Sequence, residues 1–507
     1  MANPNEKLAE ALEKLSQAEE NGIVRHDSIS RTYRERLIRQ GFLGEIINGW
    51  YHIADPATRT GETTWFAFYW EFIHQYLESR FEGNYCLATE ASLFLHSRAT
   101  NIPKQLIAIT KASGTMTLKL PGGLSLMVYR DEPGYPEAMD RIRDLNVLRL
   151  PVALVRASEG FFRNQPEEAS IVLATVQDSS PILAILLDQG KSTVAGRLAG
   201  AFRANHQAEI ADDIVSTMRR AEYDVREKNP FERPIPRITS SRNPSPYEVR
   251  IRSMWARMRE DVLLALPPAP GLPSNPKAFL QEIQDLYAND AYNSLSIEGY
   301  RVTPELIERV RSENWNPDGD EKDRESRDAL AARGYFEAFE EVQKSVSRLI
   351  QGTSASIVRR AHREWYQALF APSIAAGILK PSDLAGYRNH QVFIKGSMHV
   401  PLPAEALMNA MTTLFNLIDE EPEASVRAVL GHFIFVYVHP YGDGNGRLGR
   451  FLMNAMLASG GYAWTVIRLE TRKAYMAALE SASVNGDIRP FADFVASEIP
   501  ASKQIST

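Results

Sequence analysis

A twelve-residue segment, residues 439–450, combines residue types that suit phosphate chemistry. It reads HPYGDGNGRLGR and holds one imidazole, one carboxylate, four glycines and two arginines. Glycines let an anion approach the main chain, arginines grip phosphate oxygens with forked donors, and a carboxylate offers the oxygen ligands that Mg²⁺ prefers. An imidazole that is neutral near pH 7 accepts a proton from an attacking hydroxyl. The mixture indicates a nucleotide-binding site beside a general base.

Two predicted helices position these residues. Pro440 disfavours helical geometry at His439, so the imidazole lies where the first helix ends. A second helix is predicted to start near Asn445 and to end at Gly460-Gly461. The free N–H groups at its start and the positive end of its dipole form an anion site. The apolar periods that predict the two helices are Val426, Val429, Leu430, Phe433, Ile434 and Tyr437, then Leu448, Phe451, Leu452, Ala455 and Met456.

Each functional residue of the segment also has a structural interpretation. A histidine at a helix end is usually structural, an Asp-Gly pair such as Asp443-Gly444 is usually a turn, and arginines in a first helical turn are usually solvated. The combination is harder to explain in this way. Arg447 and Arg450 would oppose the helix dipole unless an anion binds there.

The segment resembles the signature of Fic-domain proteins, with Tyr441 where Phe is commoner. Fic proteins are all-helical, and most members studied transfer AMP from ATP to a Ser, Thr or Tyr hydroxyl of a target protein. The resemblance implies that His439 is the general base, that Asp443 binds Mg²⁺ and that ATP is the substrate. It also implies a set of phosphate-contacting residues, in which Arg450 takes the γ phosphate: Gly444, Asn445, Gly446, Arg447 and Arg450.

Two further segments resemble parts of the same family. GYRNHQVFIKGSMHVPLP resembles a β-hairpin flap that aligns the target's main chain by strand addition, although an ordinary surface hairpin is the alternative. Tyr475 stands where an adenine-side residue is often found, and a core role is the alternative. The predicted tip of the flap comprises Ile394, Lys395, Gly396, Ser397, Met398 and His399.

Upstream, NSLSIEGY places Ser294 and Glu298 on one helix face, with Gly299 positioned to end the helix. The segment resembles the inhibitory motif of Fic proteins, which implies that Glu298 pairs with Arg450 and blocks the γ phosphate. The alternatives are a solvated helix-end carboxylate, or a residue that orients a water for removal of AMP from a modified target. The inhibitory helix is predicted around residues 282–299.

The N-terminal end resembles a winged helix-turn-helix. A helix at residues 3–20 and two short helical segments in DSISRTYRERLIRQG precede a strand-like stretch, FLGEIINGWYHIA. Residues 1–228 are loosely similar to AbiEi-type antitoxins of bacterial abortive infection systems, which implies DNA as a partner. A solvated basic helix face is the alternative, because arginines can contact phosphates without reading bases. The candidate DNA contacts are Arg31, Arg34, Arg36 and Arg39.

Length and composition predict a mainly α, multidomain protein. At 507 residues the chain exceeds a single core, and a formal net charge of -6 gives no general bias toward nucleic acid. The predicted divisions are a winged helix at 1–84, an α+β accessory domain at 85–228, a Pro-rich linker with a short helix at 229–275, and an all-helical Fic domain with a small hairpin at 276–500.

Cys86, the only cysteine, excludes an intramolecular disulfide, and no apolar run reaches the length needed to span a membrane. We expect a cytoplasmic location and no membrane partner.

The sequence therefore predicts an autoinhibited protein adenylyltransferase with possible DNA binding by its N-terminal half. Three alternatives stay open: a protein de-AMPylase, transfer from UTP or GTP, and a DNA-binding regulator or antitoxin with a nucleotide-sensing Fic module. The sequence does not identify the target protein, and it leaves open whether the protein forms a homodimer.

Overall fold

The computed structural model describes residues 4–54, 56, 64–112, 114–236, 244–311, 327–394 and 396–505. The chain divides into two compact units. The N-terminal unit comprises Met1–Val249 together with Phe393–Val400, and the C-terminal unit comprises Arg250–Val392 and Pro401–Thr507. Helices dominate, and no helix in the described part of the chain is long and apolar enough to cross a membrane.

The N-terminal unit begins with two helices and a three-stranded antiparallel sheet. Helix α1 (Pro4–Ala18) precedes β1 (Ile23–Arg25), and α2 (Arg31–Gln40) precedes the hairpin of β2 (Leu43–Ile47) and β3 (Trp50–Ile53), with strand order β1-β3-β2. The prediction of two short helices in DSISRTYRERLIRQG was wrong, because only α2 forms. The residues before it form a turn instead, in which the N–H of Ser28 donates to the carbonyl of Arg25 at 3.2 Å.

The rest of this unit is α+β, as predicted. A four-stranded sheet has the order β4-β5-β7-β6, with β5 and β7 parallel, and β8 and β9 form a separate antiparallel pair. One buried cluster contains Trp65 and Phe72 together with Leu126, so a single core spans residue 84. The strands are β4 (Tyr85–Leu87), β5 (Gln105–Thr110), β6 (Met116–Leu120), β7 (Leu124–Arg130), β8 (Met139–Ile142) and β9 (Leu145–Leu148). The helices are α3 (Tyr69–Phe81), α4 (Thr89–His96), α5 (Leu150–Arg156), α6 (Glu159–Asn164), α7 (Pro166–Ala174), α8 (Ser180–Asp188), α9 (Ser192–Ala204) and α10 (Ala208–Arg220).

The described residues of the C-terminal unit form helices joined by loops, and they contain no strand. Helix α11 begins at Pro246, inside the segment predicted to be a Pro-rich linker with a short helix, and ends at Ala265. The remaining helices are α12 (Pro276–Ile297), α13 (Pro304–Arg311), α14 (Arg327–Leu349), α15 (Val358–Ala375), α16 (Leu407–Glu420), α17 (Ala424–Val438), α18 (Asn445–Ala458), α19 (Arg472–Glu480) and α20 (Arg489–Ile505).

Helix α17 is buried on nearly all sides, as its composition requires. Almost every residue from Ala424 to Val438 is apolar and buried, including Leu430 and Phe433 at 0% exposure. Burial of a single side chain of that size contributes about 1.5–3 kcal/mol, so the helix is firmly held. Its end at His439 and the start of α18 at Asn445 agree with the sequence prediction. The short loop between the two helices is therefore fixed at both ends.

The β-hairpin predicted in VFIKGSMHVPLP, with its tip at residues 394–399, does not form among the described residues. The N–H of Ser397 donates to Ile394 O at 3.1 Å and closes a turn, but no strand follows. The N–H of His399 donates to Ser397 Oγ at 3.0 Å, and the N–H of Val400 donates to Thr100 O at 2.8 Å, so neither is available for a hairpin ladder. Lys395 lies outside the described residues.

The segment Phe393–Val400 packs within the N-terminal unit. The ring of Phe393 lies 5.8 Å from that of Phe68, and Val400 is buried in the cluster that contains Trp65. These contacts join residues about 300 positions apart, which no local sequence pattern encodes. They are the physical reason why this segment is a loop and not the predicted hairpin.

Candidate functional site

The imidazole of His439 is held in one tautomer at the end of α17. Its backbone is left-handed, with φ 54°, and its N–H donates to Phe435 O at 3.0 Å. Nδ1 lies 3.2 Å from Val436 O. Because a carbonyl only accepts hydrogen bonds, the proton of the neutral ring is on Nδ1 and the lone pair is on Nε2. Burial lowers the pKa of His439 to about 4, so the ring is neutral at pH 7.

The loop after His439 is closed by the side chain of Asn445. Its Oδ1 accepts the N–H of Tyr441 at 2.9 Å, and its Nδ2 donates to Tyr441 O at 2.8 Å. Asn445 is 2% exposed, so its amide holds the loop in this structure. The ring of Tyr441 stacks on Tyr366 with centroids 3.8 Å apart and anchors the loop in the core. A contact between the Asn445 side chain and phosphate stays a prediction.

The start of α18 presents free main-chain donors. Gly444 is the N-cap residue with φ 84°, a conformation that favours glycine, and the first intrahelical bond runs from Leu448 N to Gly444 O at 3.0 Å. The amides of Asn445, Gly446 and Arg447 come before this first bond and donate no hydrogen bond within the helix. They lie at the positive end of the helix dipole, where the sequence predicts an anion site, and binding of an anion there stays a prediction.

Arg447 is fully buried beside this anion site. It is 1% exposed, donates to Asp443 Oδ2 at 3.0 Å, and has its guanidinium carbon 5.1 Å from the ring of Tyr300 and 5.2 Å from that of Phe370. Rings on the two sides and a carboxylate at one edge fix the direction of this cation. Sequence reasoning predicted Arg447 but not Tyr300 or Phe370, because their approach depends on tertiary packing.

Arg450 is bound by the predicted inhibitory helix. Its Nε donates to Ser294 Oγ at 2.9 Å, and one terminal nitrogen donates to Ser294 O at 3.1 Å and to Glu298 Oε1 at 2.7 Å. Burial alone would lower the pKa of Arg450, but the Glu298 carboxylate together with Tyr475 and Tyr335 raises that pKa overall. The cation is thus compensated by an anion supplied from within the chain.

The Glu298 carboxylate also lies directly against the start of α18. A Cβ on Gly446 would collide with Glu298 Oε1. Helix α12 ends at Ile297, Glu298 is its C-cap residue, and Gly299 follows with φ 90°, which agrees with the predicted helix end. The structure therefore brings together the acidic residue, the anion site and Arg450.

Asp443 is a suitable ligand for a hydrated cation. Its side chain is 62% exposed, with Oδ1 accepting the N–H of Gly444 at 2.6 Å and Oδ2 accepting from Arg447. It borders a cavity of about 710 Å³, so there is room for water beside the carboxylate. Mg²⁺ is commonly held by one or two carboxylates together with substrate phosphates and waters, and Asp443 fits that role. The described residues contain no cluster of three or more metal-binding side chains, so the other ligands would be phosphate oxygens and water.

Tyr475 lies in the core of the C-terminal unit. It is 2% exposed, its hydroxyl lies 2.8 Å from His432 Nε2, and its ring packs near Phe491 and Phe494. Burial raises the pKa of Tyr475. These contacts favour the core interpretation, and an adenine contact by Tyr475 stays a prediction.

The arginines of α2 have local partners in the N-terminal unit. Arg31 pairs with Glu35 at 2.7 Å, and Arg34 donates to His26 O at 2.8 Å. Arg36 donates to Lys7 O at 2.8 Å, whereas Arg39 lies exposed in the last turn. DNA contact by these residues stays a prediction.

Sequence reasoning missed Arg388. This residue is 6% exposed, and its Nε donates to the carbonyl of the catalytic candidate His439 at 2.8 Å. Its own N–H donates to Pro440 O at 2.9 Å. A single arginine in GYRNHQ gives no periodic or spacing signal, because an exposed loop arginine would produce the same pattern.

Comparisons with known proteins identify a family over the C-terminal region of the chain. The family model described as Fic/DOC family matches residues 353–457. The chain is 31% identical over 230 residues to protein adenylyltransferase Fic of Nematostella vectensis, covering 44% of this chain and 50% of the relative. It is 30% identical over 217 residues to protein adenylyltransferase Fic of Drosophila virilis, covering 42% and 41%.

A solved structure, Fic-1 residues 134–508 from Caenorhabditis elegans, matches with a TM-score of 0.38 and 18% identity, over 69% of this chain and 97% of that one. The chain spans half or less of the length of the two curated relatives. The C-terminal region of the chain therefore contains a Fic/DOC domain that is homologous to those of Fic protein adenylyltransferases.

Proposed function

We propose that the protein is an autoinhibited protein adenylyltransferase, which transfers AMP from ATP to a Ser, Thr or Tyr hydroxyl of a target protein. The names of its curated relatives support the activity. The observation that carries the proposal is the position of Glu298, whose carboxylate binds Arg450 and lies against Gly446 at the start of α18. A carboxylate in an anion site is the arrangement expected of a brake on phosphate binding.

The transfer step uses His439 as a base. The target's hydroxyl oxygen attacks the α phosphorus of ATP and forms a new P–O bond, while the bond from that phosphorus to the bridging oxygen of pyrophosphate breaks. The hydroxyl proton passes to Nε2 of His439, whose lone pair is exposed to it because Nδ1 is bound to Val436 O. Pyrophosphate leaves with the bonding electrons. The amides at the start of α18 bind the negatively charged phosphates.

Mg²⁺ bound at Asp443 would neutralise phosphate charge when present. Arg447 keeps Asp443 oriented through the hydrogen bond from its guanidinium to Oδ2. The flanking rings of Tyr300 and Phe370 exclude water from the other faces of that guanidinium. The carboxylate is thereby held at the end of the anion site.

Inhibition follows from competition between two anions. The γ phosphate and the Glu298 carboxylate need the same donors, which are the Arg450 guanidinium and the first amides of α18. Like charges repel, and the Arg450 donor that binds Glu298 is not free to bind a phosphate. ATP therefore binds weakly, or with its phosphates displaced, until the end of α12 moves away.

The glycine at position 446 favours AMP transfer over phosphate transfer. In the kinase-like branch of Fic proteins a lysine takes this position and the nucleotide binds reversed. Here even a Cβ at residue 446 would collide with Glu298. The site therefore has no room for that lysine while the inhibitory helix is docked.

The test is to incubate the purified chain with Mg²⁺ and α-labelled ATP and to follow the label on protein. Three forms are compared: wild type, Glu298→Gly, and Glu298→Gly with His439→Ala. We expect weak labelling of wild type, at least tenfold more in Glu298→Gly, and loss of label in the double variant. Glu282→Gly, at an exposed position of the same helix, controls for helix destabilisation by glycine.

Equal labelling of wild type and Glu298→Gly would contradict the inhibitory role of Glu298. Labelling that survives His439→Ala would contradict its role as the base. The absence of label from every folded form would contradict AMP transfer from ATP, and the open alternatives, UTP, GTP and removal of AMP from a modified target, would then be tested with the same three forms.

DNA binding through α2 is the second candidate function. The side chain of Arg31 is 83% exposed and Arg39 is also exposed, so both are accessible to phosphates. Binding of duplex DNA at graded salt concentrations tests it, because phosphate-dominated affinity falls steeply with salt. The absence of binding at low salt would remove this candidate.

A further inference from the structure

Arg388 makes four hydrogen bonds, and every acceptor is a main-chain carbonyl. Its guanidinium donates to His439 O at 2.8 Å, to His390 O at 2.8 Å and to Leu402 O, and its own N–H donates to Pro440 O at 2.9 Å. All of these residues lie in the C-terminal unit. One side chain thus joins three separate stretches of chain.

Burying the Arg388 guanidinium costs free energy of folding, which points to a specific role for this residue. Burial lowers the pKa of Arg388 to about 10, with only a weak opposing effect from Glu405. No hydrogen bond to a carboxylate compensates the charge among the contacts described for Arg388. Its acceptors at His439 and Pro440 are orphan carbonyls just past the end of α17, where a positive charge is favourable.

The other two guanidinium contacts hold the ends of a loop. His390 precedes the loop of residues 391–402, and Leu402 ends it. Gln391 adds a second tie between these ends, because its Nε2 donates to Pro401 O at 3.0 Å. The two ends are therefore closed on each other and fixed to the backbone of His439.

We propose that Arg388 is a positioning residue for the transfer reaction. It fixes the left-handed backbone of His439, and so the direction of its imidazole, relative to both ends of the 391–402 loop. This inference rests on the proposed function, in which His439 is the base that receives the proton of the target's hydroxyl. The hydrogen bonds described for Arg388 all go to main-chain carbonyls, so Arg388 acts through His439 and the loop.

The expected signature separates positioning from nucleotide binding. No described phosphate-binding residue of α18 is bonded to Arg388, so its loss leaves ATP recognition intact. Misplacement of a base by about 1 Å can cost on the order of 100-fold in rate. We therefore expect kcat to fall at least tenfold while KM for ATP changes less than threefold.

The experiment measures self-labelling from α-labelled ATP in the full chain, in the Glu298→Gly background. Arg388→Met removes the three guanidinium contacts and keeps the main-chain bond to Pro440 O. Arg388→Lys keeps the charge but reaches fewer carbonyls, so its kcat should lie between those of the parent and Arg388→Met. The matched control is Arg427→Met. Arg427 also donates to loop carbonyls, those of Glu421 and Pro422, but lies in the first turn of α17, far along the helix from His439. Its loss should lower Tm while kcat stays within twofold of the parent.

The proposal is overturned if folded Arg388→Met, or Arg388→Lys should the first variant not fold, keeps kcat within twofold of the parent. It is also overturned if Arg427→Met loses as much kcat as Arg388→Met at an equal loss of Tm. If the Glu298→Gly parent itself takes no label, the proposed function has failed, and amide hydrogen exchange still decides the positioning role. Arg388→Lys should then speed exchange at residues 389–392 and at the amides of Leu402 and Ala404, and unchanged exchange there would overturn it.

Discussion

Helices α18 and α2 both carry arginines that the sequence predicts to contact phosphates, and the surroundings of the two sets differ. On α18, Arg447 and Arg450 are 1% and 4% exposed, and carboxylates and aromatic rings surround them. On α2 the arginines lie at the surface, where Glu35 and main-chain carbonyls of the same unit satisfy three of them. An arginine at the surface costs little free energy of folding. A buried arginine requires an anion, or other hydrogen-bond acceptors in its place, to offset the loss of hydration.

This difference shows which arginines identify a ligand. The buried pair at the start of α18 needs negative charge nearby, and Asp443 and Glu298 supply it. The α2 arginines are stable without any ligand, so their presence is compatible with DNA binding and equally with a solvated face. Burial therefore separates the two sets, although both appear as basic residues on a helix in the sequence.

The largest expected effect comes from removing a buried arginine. In the Glu298→Gly background, Arg450→Gln should lower labelling by α-labelled ATP at least 100-fold at low ATP. Each hydrogen bond to a charged group contributes about 1.5–3 kcal/mol, and the phosphate would lose at least one together with the charge. Arg39→Gln on α2 is the surface control and should change labelling less than twofold. A drop in labelling of less than tenfold in folded Arg450→Gln would contradict the conclusion that the buried arginines of α18 mark the ligand site.

The second prediction concerns the pH dependence of transfer. Burial lowers the pKa of His439 to about 4, and the base must be neutral to act. As pH falls from 8 to 6, the rate of labelling by Glu298→Gly should therefore stay nearly constant, and it should fall only as pH approaches the lowered pKa. An exposed histidine would lose half its activity near pH 6.5. A pH profile of kcat/KM with a midpoint near 6.5 would show that His439 is not in the buried, neutral state described.

A smaller effect is expected on stability. Glu298→Gly leaves Arg450 without its carboxylate, and the loss of a hydrogen bond to a charged group costs about 1–3 kcal/mol. The Tm of the variant should fall by several degrees, and Mg²⁺ with ATP should raise it again, because ligand that binds only the folded state stabilises it. Glu282→Gly should show no recovery beyond that of wild type. A Tm unchanged by Glu298→Gly would mean that the carboxylate does not compensate Arg450.

The smallest effects are expected on α2. Replacing Arg31 or Arg39 with Gln should change the free energy of unfolding by no more than about 0.5 kcal/mol, because both are exposed. If this helix contacts DNA phosphates, each replacement should reduce the slope of log affinity against log salt concentration by about 1. An unchanged slope in both variants would assign these arginines to a solvated face.

Local patterns predicted the elements that position the site. The end of α17 before Pro440, the start of α18 at Asn445 and the end of α12 before Gly299 all follow from apolar periodicity with Pro and Gly at the boundaries. These signals lie within a few residues of the structure they determine. The pairing of Glu298 with Arg450 came from the family resemblance, because the two residues are separated by 152 positions.

Features that depend on distant contacts could not be predicted. The hairpin prediction was wrong because the N–H of Val400 donates to the carbonyl of Thr100, which is far away in the sequence. Arg388 was missed for the same reason, since its hydrogen bonds go to carbonyls that only the fold brings close to it. Asn445 was assigned to phosphate, yet in this structure its amide is bound to the main chain of Tyr441.

The measurement that tests the central claim most directly is a parallel labelling of Glu298→Gly with α-labelled and with γ-labelled ATP. The account predicts that the protein takes up label from the α position alone, because His439 directs the hydroxyl to the α phosphorus and pyrophosphate leaves. Label from the γ position, or no label from either, would contradict it.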